Sequence, residues 1–254
     1  MQKILSSIQQ KHTSNQKSIA VLIDPDKVKA VDELMPIITI ANENYVDYFF
    51  VGGSLITNTA LPKVVQLIKE NSSIPVLLFP GSNMHITSLA DGLLFLSLIS
   101  GRNPDLLIGQ HVAAAQLIKE SKLEVLPTGY LLVDGGIATS VVYMSNTAPI
   151  PANKPSIASS TAMAGEMLGH KLIYLDAGSG AITPVHADII SSVRKAISVP
   201  LIVGGGINTK ERAQRALQAG ADIIVMGNAL EKNPNLLIEV SNSIYDFNKS
   251  LNIN

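Results

Sequence analysis

Two glycine-rich turns near the end of the chain have the residue types of a phosphate-binding site. Gly204, Gly205 and Gly206 follow one short apolar run, and Gly227 with Asn228 follows the next one. Glycines let backbone N–H groups approach an anion closely, because no Cβ intervenes and positive φ angles are open to them. Parallel barrels hold a phosphate group between the turns after their seventh and eighth strands. The pattern therefore favours a bound phosphate, although the glycines would also suit plain tight turns.

Polar side chains lie at the ends of other predicted strands. Asp24 and Ser54 follow the first and second strands, and Tyr174 and Asp176 end the sixth. The carboxyl ends of parallel strands share one face of a barrel, so these side chains should meet there. A carboxylate and a hydroxyl at adjacent strand ends form a sparse oxygen shell, typical of Mg²⁺ that also binds water and substrate phosphate. Asp24 could instead cap the turn at Pro25. The full polar set at strand ends is Asp24, Asp26, Ser54, Ser82, Arg102, Tyr174, Asp176, Ser179 and Asn228.

The elements that position these residues alternate between strand and helix patterns along the whole chain. About eight apolar runs are each followed by a helical pattern, which indicates an α/β fold, a single TIM (β/α)8 barrel over residues 1–254. Residues 1–18 are predicted to form a helix over 1–10 and a polar loop that cover the bottom of the barrel. A doubly wound sheet is the alternative. It would place a glycine-rich turn near the N-terminus, whereas the glycine-rich turns here lie in the C-terminal half.

Three stretches depart from a regular barrel pattern. The segment 84–91 is too short for a full helix, so the third βα unit is predicted to be truncated. Residues 127–129, Pro-Thr-Gly, are predicted to interrupt the fifth strand with a bulge or bend. Residues 140–156 contain three prolines and are predicted to form a mobile loop over the C-terminal face, before a helix over 159–168.

Composition excludes several classes of function. The chain has 254 residues, of which 46% are hydrophobic and 15% charged, so it can bury a large core. A net charge of −1 without a basic run argues against nucleic-acid binding. The absence of cysteine excludes disulfides, thiolate metal sites and cysteine nucleophiles. The polar N-terminal stretch and the short apolar runs predict a cytoplasmic protein with at most peripheral membrane contact.

Taken in order, the strand-end motifs resemble those of the geranylgeranylglyceryl phosphate synthases. They are LIDPDK, FFVGGS, LISGRNP, YLDAGSGA, LIVGGGI and VMGN, and they extend over residues 19–228. The resemblance is to the branch with ISGRNP and a YLEAGSGA-like motif, rather than to the bacterial heptaprenylglyceryl phosphate synthases. It implies a prenyltransferase on a TIM barrel. Such an enzyme joins a prenyl diphosphate, here geranylgeranyl diphosphate, to the C3 hydroxyl of sn-glycerol 1-phosphate, forms an ether and releases diphosphate. The resemblance also implies Mg²⁺ as cofactor and a homo-oligomer, either dimer or hexamer.

The family's site residues carry over to matching positions of this chain. Its Mg²⁺ ligands fall on Asp24 and Ser54. Its proposed proton acceptor falls on Asp176, where the family usually has Glu, and Tyr174 would hydrogen-bond or pack against the glycerol. The carboxylate of Asp176 is shorter by one methylene, and a bridging water could restore its reach. The implied glycerol phosphate site comprises Tyr174, Leu175, Asp176, Ala177, Gly178, Ser179, Gly180, Gly205, Gly206, Gly227 and Asn228.

Other residues and other functions remain open on the sequence. Arg102 and Asn103 could meet the diphosphate or form structural contacts, and His111 is predicted to be structural. The truncated third unit, Phe95, Leu96 and the 140–156 segment could form an apolar groove for the prenyl chain, or serve only as packing. The runner-up enzyme class is a phosphosugar isomerase, synthase or aldolase, although an aldolase would need a strand-end lysine that the sixth strand lacks. A barrel that binds a phosphate ligand without catalysis is the third hypothesis.

Overall fold

Eight parallel strands form a closed barrel. A computed structural model describes residues 3–28 and 30–251 of the chain. Each strand pairs in parallel with the next one along the chain, and the eighth pairs with the first. The strands are β1 Ser18–Ile23, β2 Tyr48–Gly53, β3 Val76–Pro80, β4 Gly92–Leu98, β5 Glu124–Leu132, β6 Leu172–Asp176, β7 Leu201–Gly204 and β8 Ile223–Met226. The predicted (β/α)8 barrel is therefore confirmed.

Helices surround the barrel and close its lower end. They are α1 Lys3–Thr13, α2 Met35–Glu43, α3 Ala60–Asn71, α4 Gln110–Ser121, α5 Ser140–Ser145, α6 Pro155–Met167, α7 Ala187–Ala196, α8 Lys210–Gln218, α9 Asn228–Lys232 and α10 Asn235–Leu251. Two 3-10 turns, Pro25–Lys27 and Val31–Leu34, precede α2, and a π-helical turn, Asp105–Gly109, leads into α4. The predicted domain, 1–254, includes residues 1–2, 29 and 252–254, which lie outside the described residues.

Alternation along each strand sorts the core into two layers. Residues two apart point to the same face of a strand, so every second side chain enters the barrel and the others face the helices. Phe50, Leu94 and Ile202 belong to the inner layer, whereas Phe49 and Leu93 belong to the outer one. The same alternation, continued past the strand ends, decides which polar side chains point into the mouth of the barrel.

The N-terminal helix closes the bottom of the barrel. Ile4, Leu5 and Ile8 of α1 are buried against the inner layer of the core. The carboxylate of Glu124, at the start of β5, accepts hydrogen bonds from the backbone N–H groups of Ile4 at 2.9 Å and Leu5 at 2.7 Å. A negative group that binds free N–H groups at a helix start stabilises that helix. The predicted N-terminal helix extends three residues further than expected, to Thr13, while Met1 and Gln2 lie outside the described residues.

The third βα unit lacks its helix, as predicted. β3 connects to β4 through residues 81–91, which form turns. The carboxylate of Asp91 ends this connection by accepting hydrogen bonds from the Val76 N–H at 2.8 Å and from the Lys69 ammonium at 2.7 Å. The connection therefore leaves the wall of the barrel beside β3 and β4 without the usual helical cover.

The predicted bulge or bend in the fifth strand is wrong. β5 is continuous through Pro127, Thr128 and Gly129, which pair in regular register with β4. A Cβ on Gly129 would lie 2.9 Å from Ile173 Cδ1, so this glycine allows close packing rather than a bend. Residues 140–156 contain α5 and a bridge between Val133 and Ile150, so the segment is partly ordered by hydrogen bonds. The following helix begins at Pro155, four residues earlier than predicted, because proline suits the first helical turn.

Among the helices that the structure describes, none combines the length and the apolar character needed to cross a bilayer.

Candidate active site

A cavity of about 590 Å³ lies at the carboxyl ends of the strands, and we call it the mouth cavity. Asp24, Ser54 and Asp176 all line it. Each of them lies two residues after a position whose side faces the inside of the barrel. Asp24 follows Leu22 of β1 in this way, Ser54 follows Gly52 of β2, and Asp176 follows Tyr174 of β6. Strand alternation thus brings the carboxylate and hydroxyl groups from three distant parts of the sequence into one cavity.

Asp176 is buried, and both of its oxygens accept hydrogen bonds. Its side chain lies at the end of β6, and the residue is only 7% exposed. Oδ2 accepts a hydrogen bond of 2.6 Å from the Tyr130 hydroxyl, and Oδ1 accepts one of 2.7 Å from the Gly178 N–H. Burial raises the pKa of the Asp176 carboxyl, because the charged form is disfavoured away from water, and the two hydrogen bonds partly oppose this effect. The site therefore contains a carboxylate that is a stronger base than an exposed aspartate.

Three aromatic rings form the floor of the mouth cavity. The ring of Tyr174 lies 5.4 Å from that of Tyr130 and 5.5 Å from that of Phe79, between centroids. Gly204 makes room for Tyr174, since a Cβ there would lie 2.6 Å from the tyrosine oxygen. Burial raises the pKa of both tyrosines well above the usual value, so both hydroxyls stay protonated and can donate hydrogen bonds.

Four glycines with positive φ, in the loops after β6 and β7, also line the mouth cavity. The φ angles are 87° at Gly178, 81° at Gly180, 80° at Gly205 and 68° at Gly206. A Cβ on Gly205 would lie 2.6 Å from Oδ1 of Asp176, so a side chain there would displace the carboxylate. These turns expose backbone rather than side chains to the cavity, as a phosphate site requires.

A polar cluster beside these glycines links the loops after β1, β6 and β8. The hydroxyl of Ser179 and the side-chain amide of Asn228 lie 2.9 Å apart, at the first residue of α9. Lys27, in the loop after β1, donates to the Asn228 carbonyl oxygen, and its ammonium lies 3.6 Å from the Glu231 carboxylate. Sequence reasoning did not assign Lys27 to the site, although it belongs to the LIDPDK motif. The structure places this cation beside the glycine turns that suit an anion.

Asp24 and Ser54 are the candidate metal ligands. Asp24 caps the 3-10 turn Pro25–Lys27, because its Oδ1 accepts a 3.1 Å hydrogen bond from the Asp26 N–H, so the predicted capping contact also exists. A Cβ on Gly53 would lie 3.2 Å from the same oxygen, so this glycine keeps the space beside the carboxylate open. Burial raises the pKa of Asp24, partly offset by that hydrogen bond. Within residues 3–28 and 30–251, no three His, Cys, Asp or Glu side chains cluster as metal ligands. The donor set suits a hard cation that takes its remaining oxygens from water and substrate.

Several predicted residues have side chains outside the mouth cavity. Leu175 and Ala177 belong to the outer core layer, so only their backbone atoms could contact a ligand there. Arg102 donates to the Gly101 carbonyl at 2.7 Å, and Asn103 donates to the Ser145 carbonyl at 2.9 Å. Arg102 therefore binds loop backbone and Asn103 binds the backbone at the end of α5. His111 is buried and lies 3.1 Å from the Ser97 hydroxyl, in keeping with a structural side chain.

An apolar groove of about 540 Å³ continues from the mouth cavity beside the missing third helix. Leu96 and Leu98 of β4 point into it, together with Leu106. Phe95 could have lined such a groove or served as packing; it faces outward and packs edge-on against His111, with 4.6 Å between the ring centroids. The residues that line both the groove and the mouth cavity are Gly53, Ser54, Leu55, Phe79, Tyr130 and Val141. A ligand with a polar head and a long apolar chain could therefore occupy both spaces at once.

Known proteins match this chain over most of its length. A model of the PcrB family matches residues 12–244. A protein from Spirosoma linguale named geranylgeranylglyceryl phosphate synthase is 54% identical over 238 residues, which are 94% of this chain and 95% of that protein. A protein of the same name from Thermococcus gammatolerans is 46% identical over 213 residues, which are 84% of this chain and 83% of that protein.

A solved structure has the same fold. The crystal structure of (S)-3-O-geranylgeranylglyceryl phosphate synthase from Thermoplasma acidophilum, in complex with its substrate sn-glycerol-1-phosphate, is similar with a TM-score of 0.90. It is 33% identical in sequence, and the match covers 97% of this chain and 100% of that chain. The resemblance drawn from the strand-end motifs is thereby confirmed. The chain belongs to the PcrB family, and its relatives there are the geranylgeranylglyceryl phosphate synthases.

Proposed function

We propose that the protein transfers a prenyl group from a prenyl diphosphate, geranylgeranyl diphosphate, to the C3 hydroxyl of sn-glycerol 1-phosphate, with Mg²⁺ as cofactor. The observation that carries this proposal is the continuity of the mouth cavity with the apolar groove through shared wall residues such as Ser54 and Tyr130. The reaction needs a polar site and a long apolar site that meet at the reacting carbon. The names of the relatives support the same reaction.

The glycine turns are proposed to bind the phosphate of glycerol phosphate. Gly205 and Gly206 on one side and Gly227 with Asn228 on the other offer backbone and amide donors without side chains that would block the anion. Lys27 adds a positive charge at the same place. With the phosphate held there, the glycerol C3 hydroxyl lies over the floor formed by Tyr174. Positioning of this kind can lower a barrier by several kcal/mol.

Asp176 is proposed to accept the proton of that hydroxyl. The C1–O bond of the allylic diphosphate breaks, and its electron pair leaves with the diphosphate. The glycerol oxygen forms a new bond to C1, and its proton moves to the Asp176 carboxylate. Burial raises the pKa of this carboxylate and so brings its basicity closer to the working pH. The hydrogen bond from Tyr130 keeps the carboxylate on the inner face of the barrel.

The cofactor is proposed to bind between Asp24 and Ser54. Asp24 and Ser54 both line the mouth cavity, and Ser54 also lines the groove. When bound, Mg²⁺ would neutralise the negative charge that grows on the leaving diphosphate. Asp24 and Ser54 would orient the diphosphate so that C1 of the prenyl chain faces the glycerol hydroxyl.

A direct assay tests the proposal. The protein is incubated with sn-glycerol 1-phosphate, geranylgeranyl diphosphate and Mg²⁺, and the ether product is identified by mass spectrometry. We expect product with the wild type and a rate about 10²-fold to 10⁴-fold lower with Asp176→Asn, which cannot accept the proton. The exposed Asp246 on α10 offers a matched control, since Asp246→Asn should leave the rate unchanged. Binding of glycerol phosphate without any ether product would overturn the transferase proposal.

A further inference from the structure

Arg212 lies behind two loops of the proposed phosphate site. It is the third residue of α8, and its backbone N–H donates a 3.2 Å hydrogen bond to the Thr209 hydroxyl that caps the helix. Its guanidinium Nη1 donates to the Gly206 carbonyl oxygen at 2.8 Å, in the loop after β7. The same nitrogen donates to the Ile182 carbonyl oxygen at 3.3 Å, in the loop after β6. One cation on α8 therefore connects both loops.

The two loops that Arg212 connects pack with their backbones in contact. A Cβ on Gly206 would lie 2.9 Å from the Pro184 nitrogen, and one on Gly205 would lie 2.7 Å from the Gly178 nitrogen. Both distances are shorter than a Cβ can tolerate, so the glycines allow this close approach. Arg212 does not line the mouth cavity. Its hydrogen bonds therefore hold the loops together from the side away from the ligand.

The loop after β7 has unpaired N–H groups at the mouth cavity. Gly206 and Ile207 both line the cavity, and within the part of the chain that the structure describes their N–H groups donate to no protein acceptor. Successive free N–H groups in a turn form a concave site for an anion. The Gly206 carbonyl and the Ile207 N–H belong to one peptide group. The hydrogen bond from Arg212 to that carbonyl polarises the group, so the Ile207 N–H becomes a stronger donor.

The positive charge of Arg212 has no carboxylate partner. Among the side chains that the structure describes, no carboxylate forms an ion pair with its guanidinium. The hydrogen bonds to Gly206 and Ile182 go to neutral carbonyls, so they orient the charge without neutralising it. A half-buried cation without a counter-ion attracts an anion. The loops that Arg212 contacts are the ones that carry the free N–H groups and the glycines of the mouth cavity.

We infer that Arg212 is a positioning residue for the phosphate of glycerol phosphate. It holds the loop after β7 against the loop after β6, and it supplies a positive charge from behind the backbone that binds the dianion. This inference rests on the proposed function, because it takes the glycine turns as the phosphate site. The bound phosphate is then the counter-ion that Arg212 otherwise lacks, and the guanidinium favours ligands with a phosphoryl group.

Two variants separate the charge of Arg212 from its hydrogen bonds. Arg212→Gln keeps an N–H donor for the Gly206 carbonyl and loses the charge, whereas Arg212→Lys keeps a donor and the charge. In calorimetry we expect Arg212→Gln to raise the Kd of inorganic phosphate and of sn-glycerol 1-phosphate about tenfold, and Arg212→Lys to stay within about threefold of the wild type. Arg215→Gln is the matched control, because Arg215 is an exposed cation on the same helix. It should leave both Kd values unchanged.

Steady-state kinetics distinguish positioning of the phosphate from a general support of the loops. Arg212→Gln should raise the KM of glycerol phosphate about tenfold and leave kcat and the KM of geranylgeranyl diphosphate near the wild-type values. Loss of loop structure would also lower kcat, because Gly178 of the loop after β6 donates to the Asp176 carboxylate. An unchanged Kd with Arg212→Gln would overturn the inference. So would a loss of tenfold or more with Arg212→Lys, which retains the charge, or a fall in kcat as large as the rise in KM.

The two proposals can fail separately. Ether formation by the wild type, together with an unchanged Kd and KM in Arg212→Gln, would overturn the role of Arg212 and leave the transferase proposal intact. Phosphate binding that Arg212→Gln weakens and Arg212→Lys preserves, together with no ether from any prenyl diphosphate, would support the role of Arg212 and overturn the transferase proposal. A wild type that binds neither inorganic phosphate nor glycerol phosphate would overturn both.

Discussion

The hydroxyl of Tyr130 donates a 2.6 Å hydrogen bond to Oδ2 of Asp176. Tyr130 lies on β5 in register with Tyr174 on β6, two residues before Asp176, so the phenol reaches diagonally across the inner face of the barrel. The contact is buried at both ends. It fixes the carboxylate in the mouth cavity and lowers its pKa against the larger, opposite effect of burial.

This contact predicts the pH dependence of the proposed reaction. Asp176 accepts a proton only when ionised, so kcat/KM should fall on the acid side, with a midpoint above the usual pKa of aspartate. Tyr130→Phe removes a hydrogen bond that lowers the Asp176 pKa, so the midpoint should move to higher pH. The measurement is kcat/KM against pH at saturating Mg²⁺, with Tyr143→Phe as control. A midpoint that stayed in place, or moved to lower pH, would refute the role of Asp176 as proton acceptor.

Asp24 should be required for turnover and not for binding of glycerol phosphate. We expect Asp24→Ala to lower kcat by about 10²-fold or more, because the carboxylate proposed to hold the cation is lost. The turns proposed to bind the phosphate follow β7 and β8, away from Asp24, so the Kd of glycerol phosphate measured by calorimetry should stay near that of the wild type. Near-normal rates for Asp24→Ala at limiting Mg²⁺ would show that the metal assignment is wrong.

Gly205 should tolerate no side chain. Gly205→Ala combines a φ of 80° with a Cβ 2.6 Å from Asp176 Oδ1, so we expect the Kd of glycerol phosphate to rise by about tenfold or more. Gly169→Ala is the matched control. Gly169 also has a positive φ, 99°, but its Cβ would meet nothing within 4 Å. Gly169→Ala should lower Tm slightly and leave the Kd of glycerol phosphate unchanged. If Gly169→Ala and Gly205→Ala raised this Kd equally, that would argue against a phosphate site at Gly205.

Asp222, at the bottom of the barrel, should control acid stability. Its carboxylate accepts hydrogen bonds from Lys17 at 3.1 Å and Arg194 at 2.9 Å, and it also contacts His12. Burial alone would raise its pKa, but the contact with His12, the charge of Lys17 and the Leu201 N–H together lower it. A lowered folded-state pKa means that the stabilisation is present above the ordinary value of 3.8 and is lost as pH falls through the folded-state value.

Asp222→Asn should therefore lower the free energy of unfolding at pH 7 by about 3–5 kcal/mol, because Lys17 and Arg194 lose a buried partner. The difference from the wild type should narrow as the pH falls below the ordinary aspartate value. Thermal unfolding followed by circular dichroism at several pH values measures this. The exposed Asp246→Asn should change stability by no more than about 0.5 kcal/mol. A deficit that is the same at every pH would contradict the electrostatic explanation.

Local patterns in the sequence determined the barrel, the truncated third unit and the glycine turns. Apolar runs of strand length, helical periodicity and glycines are properties of neighbouring residues, and they persist whatever the rest of the chain does. The strand-end positions of Asp24, Ser54 and Asp176 followed from the same patterns. A parallel barrel has a single face where strands end, so strand-end residues had to meet there.

The tertiary structure decided which side chains face one another. Tyr130 and Phe95 show the difference: both lie within apolar strands, and only the register of the closed barrel turns Tyr130 toward Asp176 and Phe95 toward His111. Lys27 reaches Asn228 across about two hundred residues of sequence, a contact that no local pattern encodes. Sequence patterns specify elements and their faces, whereas barrel closure sets the distances between side chains on different strands and loops.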